Sequence, residues 1–308
     1  MTLEIVTYHY VRPIKSSRYP KIKGLELSCF QKQLEFFLKE RHIVSTADVL
    51  RAIEDKIALP KNAIWLTFDD GYKDHYEYVV PLLERYGVDA AFFPVTDTFT
   101  KNIALDVNKI QYILAIIDSE NILLELLKKQ MFLEGFSLVE WNHLWNQMDK
   151  SSRFDTEKII FFKRLLQRDL PIKIRQRILT NLFLEIANKT SNDFVSELYM
   201  SKKDLISLHQ KGFTIGSHTA SHSWLNSLTL KQQEIEIENS LIELKNIRGS
   251  LDNWIMCYPY GAYNEETLSI LSKKNCAIGL TTKVGKTDLS YQNKYELSRL
   301  DTNDFFNR

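Results

Sequence analysis

An α/β fold is predicted by three features of the 308-residue chain: short β-rich runs recur along it, helical patterns separate them, and chemistry-bearing turns follow several of the runs. The β-rich runs are residues 3–8, 64–68, 90–95, 213–216, 254–258 and 277–281. Between them, residues 29–39, 76–86, 230–247 and 265–274 carry apolar spacing that suits helices packed on a sheet or barrel. Ser28 is expected to cap the first helix and Asn264 the last.

From 106 to 196 the pattern changes. Leu, Ile, Lys, Glu and Gln dominate, with Gly135 and Pro171 as breakers. A gap of about 90 residues is too long for a structureless loop inside a compact domain, so this stretch is predicted as an all-helical insertion. The expected organisation is a barrel made of 1–105 and 197–308, interrupted by 106–196. Within the insertion, residues 161–183 hold Lys163, Arg164, Arg168, Lys173, Arg175 and Arg177 against only Asp169. Such a basic amphipathic stretch is usually a solvated helix face, and can also give weak contact with an anionic membrane surface.

With 44% apolar and 26% charged residues the chain is that of a folded globule, not a disordered one. Forty Lys and Arg against thirty-nine Asp and Glu leave no global field to recruit nucleic acid. The amino terminus lacks the basic start and apolar stretch of a signal peptide, and no run is long enough to span a membrane. Three cysteines, far apart and odd in number, fit a reducing compartment. A cytoplasmic protein is therefore expected.

Three turns carry the chemistry. In Leu66-Thr67-Phe68-Asp69-Asp70-Gly71-Tyr72 an apolar strand ends in two carboxylates and a glycine. In parallel α/β folds the carboxyl ends of the strands line the active face. An Asp-Gly turn is common on its own. The second turn, Gly216-Ser217-His218-Thr219-Ala220-Ser221-His222, delivers two histidines four positions apart, which share a face if the turn is helical. One carboxylate with two imidazoles is a three-ligand set of the kind that leaves a position open at a catalytic zinc. The third turn, Cys257-Tyr258-Pro259-Tyr260-Gly261, is by itself no more than a β-turn.

In this order, Thr67-Phe68-Asp69-Asp70-Gly71, His218-Thr219-Ala220-Ser221-His222 and Tyr258-Pro259-Tyr260-Gly261 resemble the first three motifs of the polysaccharide deacetylases of carbohydrate esterase family 4, the NodB homology domain. The resemblance covers roughly 1–100 and 197–308 and leaves the insertion outside. It implies a distorted (β/α) barrel and metal-dependent removal of acetyl groups from sugars. It also implies that Asp70, His218 and His222 hold the metal, that Asp69 is the catalytic base, and that the main-chain N–H of Tyr260 completes an oxyanion site. Zinc is the expected ion, with cobalt(II) or nickel(II) as alternatives.

Two departures stand out. Many family members carry an arginine where this chain has Cys257, and a late histidine as general acid, whereas no histidine follows His222. Amide cleavage needs that acid, because an amine leaves poorly unless protonated. His9, in Tyr8-His9-Tyr10 at the end of the first strand, is the expected substitute, resembling a family subset that opens with a Tyr-His element. Arg299, after a late strand, is the expected partner for Asp69, with a surface salt bridge to Asp301 or Asp304 as the alternative. His75, one turn beyond the acidic motif, is close enough to line the site, Trp224 is expected to pack the barrel rim with sugar stacking as the alternative, and His42, His143 and His209 have no convergent ligands nearby.

The expected function is removal of an N-acetyl group from an amino sugar or glycan precursor in surface-polysaccharide synthesis, the substrate being nucleotide-linked, lipid-linked or polymeric. A non-carbohydrate amide hydrolase on the same barrel, or a catalytically silent glycan-binding module, are the alternatives.

Overall fold

The computed structural model describes residues 1–150 and 155–305. By contacts the chain forms two compact units, one of residues 1–13, 24–102 and 195–308, the other of residues 14–23 and 103–194. Residues 14–23, expected with the barrel, thus belong to the helical unit.

The first unit is built on a nine-stranded sheet in which His42–Ile43 and Thr287–Asp288 flank a main path of seven parallel strands: β1 (Thr2–Tyr8), β2 (Ala63–Asp70), β3 (Ala91–Pro94), β4 (Thr214–Ile215), β5 (Ile255–Cys257), β6 (Ile278–Val284) and β7 (Leu297–Asp301). Their order is β4-β3-β2-β1-β7-β6-β5. The sheet curls until its ends meet. Just beyond β4, the Ser217 N–H donates to the Ile255 carbonyl at 2.8 Å, and the Cys257 N–H donates to the Ser217 carbonyl at 2.9 Å. This is the distorted (β/α) barrel, closed by a single bridge between Ser217 and Met256.

All eight positions of β2 are buried, as are six of the seven in β1. A strand covered on both faces reads as a nearly unbroken apolar run, which is why these two were legible. Helices Leu27–Glu40, Val80–Tyr86, Lys202–Gln210, Leu230–Arg248 and Glu265–Lys273 cover the sheet. They bring Phe30, Leu34, Phe37, Leu83, Leu205, Ile237 and Leu271 into one core with Ile64, Leu66 and Phe92. Asn264 caps the last helix in a reciprocal capping box. Ser28 caps nothing, since the first helix begins one residue earlier, with Glu26 at its N-cap. Its two preceding residues pair with Val11–Arg12 in a short parallel ladder, which fixes the entry point ahead of the serine.

Among the described residues the regular elements of the second unit are all helical, and include helices Asp106–Ile116, Glu120–Leu133, Leu138–Gln147, Glu157–Arg164 and Ile172–Ala187. Its core includes Ile110, Ile113, Leu127, Phe161, Phe162 and Leu182, all fully buried. Asp155 ties the 14–23 segment in by pairing with Lys23 at 2.9 Å and Lys163 at 2.6 Å. The basic stretch is largely engaged: Lys163 with Asp155, Arg168 with Asp169, Arg177 with Glu134, and Arg164 with the Asp149 carbonyl. No helix among the described residues is long and apolar enough to cross a membrane.

Candidate functional site

The site sits where the strands end. Asp69 occupies the last regular position of β2, and at Asp70 the backbone turns left-handed, φ +69°. That break cancels the strand's alternation, so consecutive carboxylates reach one pocket instead of opposite faces. Gly71, also left-handed, lets the chain pass Pro94, whose Cβ would lie 2.8 Å from a side chain placed there.

The histidine turn is not helical, contrary to the expectation for a four-residue spacing. Thr219 and His222 are both left-handed, at φ +63° and +61°. The loop is pinned from two sides instead. The N–H groups of Thr96 and Asp97 donate to the Thr219 and Ala220 carbonyls at 3.3 and 2.9 Å. From helix Leu230–Arg248, the Glu236 carboxylate accepts from the Ser221 N–H at 2.9 Å and from its hydroxyl at 2.8 Å. Together these anchors aim both imidazoles at Asp70. The Nε2 atoms of His218 and His222 each lie 3.4 Å from Asp70 Oδ1.

Asp70 Oδ1 is buried and makes no hydrogen bond. Its other oxygen accepts from the Tyr72 hydroxyl at 2.6 Å. An orphaned carboxylate oxygen facing two ring nitrogens is costly unless something positive sits among them. Ligands about 2.0–2.1 Å from a tetrahedral ion stand about 3.3–3.4 Å apart, so the observed spacing fits such an ion. His218 Nδ1 lies 2.7 Å from the Cys257 carbonyl, which fixes Nδ1 as the donor and leaves Nε2 as the ring atom facing Asp70. Burial pushes the Asp70 carboxyl up, but the two imidazoles outweigh it and hold it well below the usual carboxylate range. At His218 burial works downward, yet Cys257 and the carboxylates outweigh it, so the pocket favours positive charge there.

Asp69 has a different environment. Arg299 donates to both its oxygens, Nη1 to Oδ1 at 2.9 Å and Nη2 to Oδ2 at 2.7 Å, and Thr7 donates to Oδ2 at 3.1 Å. Both partners are almost fully buried, at 2% exposed for Asp69 and 3% for Arg299. Burial raises the carboxyl, but the guanidinium's charge and hydrogen bonds outweigh it and keep Asp69 ionised. Arg299 lies within β7, not after a strand, and makes no bridge to Asp301 or Asp304. Its Nε donates to the Thr281 carbonyl at 2.9 Å and its Nη2 to the Cys257 sulfur at 3.1 Å. Asp69, His218 and Cys257 also cluster closely enough to grip an ion. With both Asp69 oxygens committed to a guanidinium, that second cluster repels cations, and the Asp70–His218–His222 set is the one suited to a metal.

His9 follows β1 directly, with its side chain 48% exposed and Nε2 4.0 Å from Asp69 Oδ2. Tyr260, left-handed at φ +57°, stacks on Trp224 at 4.4 Å and meets the His222 ring edge-on at 4.6 Å. Gly261 next to it is required by Thr282, whose Oγ1 would lie 2.0 Å from any Cβ. His75 does not line the pocket. It is fully buried, in a π-turn beneath His9. His42, His143 and His209 stand in no metal-competent cluster among the described residues.

The polysaccharide deacetylase family model matches residues 56–156 and 180–278, more than half of the chain. The chain belongs to that family. A curated relative, the "Putative polysaccharide deacetylase YxkH" of Bacillus subtilis (strain 168), is 34% identical over 102 residues, 33% of this chain and 36% of that protein. The match thus spans about a third of that relative's length. Among solved structures, the Streptococcus pyogenes deacetylase PplD in complex with acetate superposes with a TM-score of 0.61 at 18% identity, covering 98% of this chain and 92% of that one. IcaB from Ammonifex degensii gives a TM-score of 0.57 at 15% identity, covering 98% and 91%. These likenesses establish that this family member shares their fold.

Glu236, which anchors the histidine turn through the Ser221 N–H and hydroxyl, was missed by motif reasoning, because it lies outside the motif on the following helix.

Proposed function

We propose that this family member hydrolyses the N-acetyl group of an amino sugar or glycan precursor in surface-polysaccharide synthesis, using a divalent ion held by Asp70, His218 and His222. The observation that carries this reading is the orphaned Asp70 Oδ1 between two Nε2 atoms, one residue from a carboxylate kept ionised by Arg299. Two imidazoles and one carboxylate suit zinc first, then cobalt(II) or nickel(II). A divalent ion there supplies Lewis-acid polarisation of a carbonyl and lowers the pKa of a water toward 7.

The chain's own groups divide the remaining work. Asp69, not a metal ligand in this assignment, takes the proton of the attacking water as the oxygen bonds to the acetyl carbon. Arg299 holds that base in place and charged. The Tyr260 N–H is assigned to the developing oxyanion, a contribution of about 3 kcal/mol for a well-placed donor. His9 gives a proton to the sugar nitrogen as the C–N bond breaks, so acetate and a neutral amine leave. The three cysteines are all unpaired, which supports action in a reducing cytoplasm.

Acetate release from a panel of free, nucleotide-linked, lipid-linked and polymeric N-acetylated sugars tests the reading. Chelation is expected to abolish release and zinc to restore it. Asp70→Ala, His218→Ala and His222→Ala are expected to lose bound zinc and turnover together, read by elemental analysis. Undiminished acetate release from metal-free protein would overturn the reading.

A further inference from the structure

His75 is a fully buried histidine that no step above uses. Its Nε2 lies 2.7 Å from the His9 carbonyl oxygen, so Nε2–H donates to it. Nδ1 is buried and makes no hydrogen bond. The ring is packed among Phe68, Tyr72 and Phe92, with centroids 5.2, 5.6 and 6.0 Å away. Burial pushes the imidazole down to about 4, so it is neutral and carries its one proton on Nε2.

The carbonyl it holds is one the sheet leaves over. The β1–β2 ladder ends at the pair Tyr8 and Phe68. Two residues later the Tyr10 carbonyl accepts from the Leu25 N–H at 2.8 Å, which begins a separate pairing. His9 lies in the gap between them. The chain meets that gap with a π-turn, His75–Val79, at the start of the helix that follows the acidic motif. Such turns are rare and tend to occur at functional sites. A buried nitrogen without a partner is costly, and that cost needs an offset elsewhere.

We propose that His75 is a positioning residue for His9: it fixes the peptide plane at the end of β1 so that the His9 imidazole stands over Asp69, where the amine departs. This rests on the reading of His9 as general acid. A misplaced acid hurts only reactions whose leaving group needs a proton. An N-acetylated amino sugar expels an amine and needs one, whereas 4-nitrophenyl acetate expels a stable anion and does not.

His75→Phe keeps the ring's volume and removes the donor. It is expected to lower kcat for the amide about tenfold with KM within about twofold, leaving aryl-ester turnover and zinc content unchanged. His75→Gln, whose amide reaches the His9 carbonyl, is expected to restore amide hydrolysis. If the Phe variant does not fold, His75→Asn, whose amide stops short, takes its place against Gln. An equal loss on both substrates, or none on the amide, overturns the proposal when His9→Ala selectively loses the amide reaction. Full amide hydrolysis by His9→Ala, or none by the wild type, instead brings down the reading of His9 and this inference with it.

Discussion

Under the proposed assignment, Asp69→Asn is expected to bind zinc as the wild type does and lose turnover by about 10²–10⁴-fold, the range that a positioned general base contributes. The two aspartates are adjacent in sequence and differ in their hydrogen-bond partners, Arg299 and Thr7 for Asp69 and Tyr72 for Asp70. Asp70 offers an orphaned oxygen to two imidazoles, and Asp69 spends both oxygens on Arg299. Replacing Asp69 by its amide therefore leaves the three proposed ligands untouched while removing the proposed base. Zinc content and acetate release measured on one preparation separate the two roles. Parallel loss of metal, or wild-type turnover in the Asn variant, would refute the assignment.

Arg299→Met is expected to cost about 3–5 kcal/mol of stability at neutral pH, because it leaves a carboxylate buried without its counter-charge. The sign with pH follows from the direction of the Asp69 shift. Pairing with Arg299 holds Asp69 below its unfolded value of about 3.9. The pair's contribution is thus fully present above about pH 4 and is lost as the pH falls through the depressed native value. In Arg299→Met the carboxyl loses its reason to stay ionised, so the stability deficit relative to wild type should shrink toward acid pH. Urea titrations at pH 7 and pH 4 read this directly. The double variant Asp69→Asn/Arg299→Met should recover much of the loss, since both buried charges go together. A deficit that is flat across the acid range would place the destabilisation in packing instead of charge.

The sequence was most informative where burial and chemistry coincide. The two fully covered strands β1 and β2 read as apolar runs, and the acids that end β2 announced the pocket. The histidine turn was legible in composition but not in conformation: spacing suggested a helical turn, and tertiary anchors from Glu236 and from the N–H groups of Thr96 and Asp97 made a left-handed one. Elsewhere the left-handed non-glycine positions fall to asparagine, with Lys56 the exception, among the described residues. At the site they fall to Asp70, Thr219, His222 and Tyr260, of which Thr and Tyr rarely adopt such a backbone and Asp and His do so only more readily than most. Their cost, about 1–3 kcal/mol each, is met by long-range contacts that a local pattern does not contain. The same applies to β4, only two residues long, and to the 14–23 segment, whose allegiance to the helical unit is fixed by Lys23 and Asp155 across 132 positions. Arg299 was reachable only by asking what the acidic turn needs.

Cys257 does two unrelated jobs from one position. Its main-chain oxygen orients His218, a task open to any residue, and its small sulfur lies against Arg299. A long cation at 257 would compete with Arg299 for the same space and the same carboxylate. The two placements are therefore alternatives: a guanidinium can approach from β5 or from β7, with room for one. The fixed point of this candidate centre is the aspartate, and the direction from which it is neutralised is free to migrate around the ring of strands.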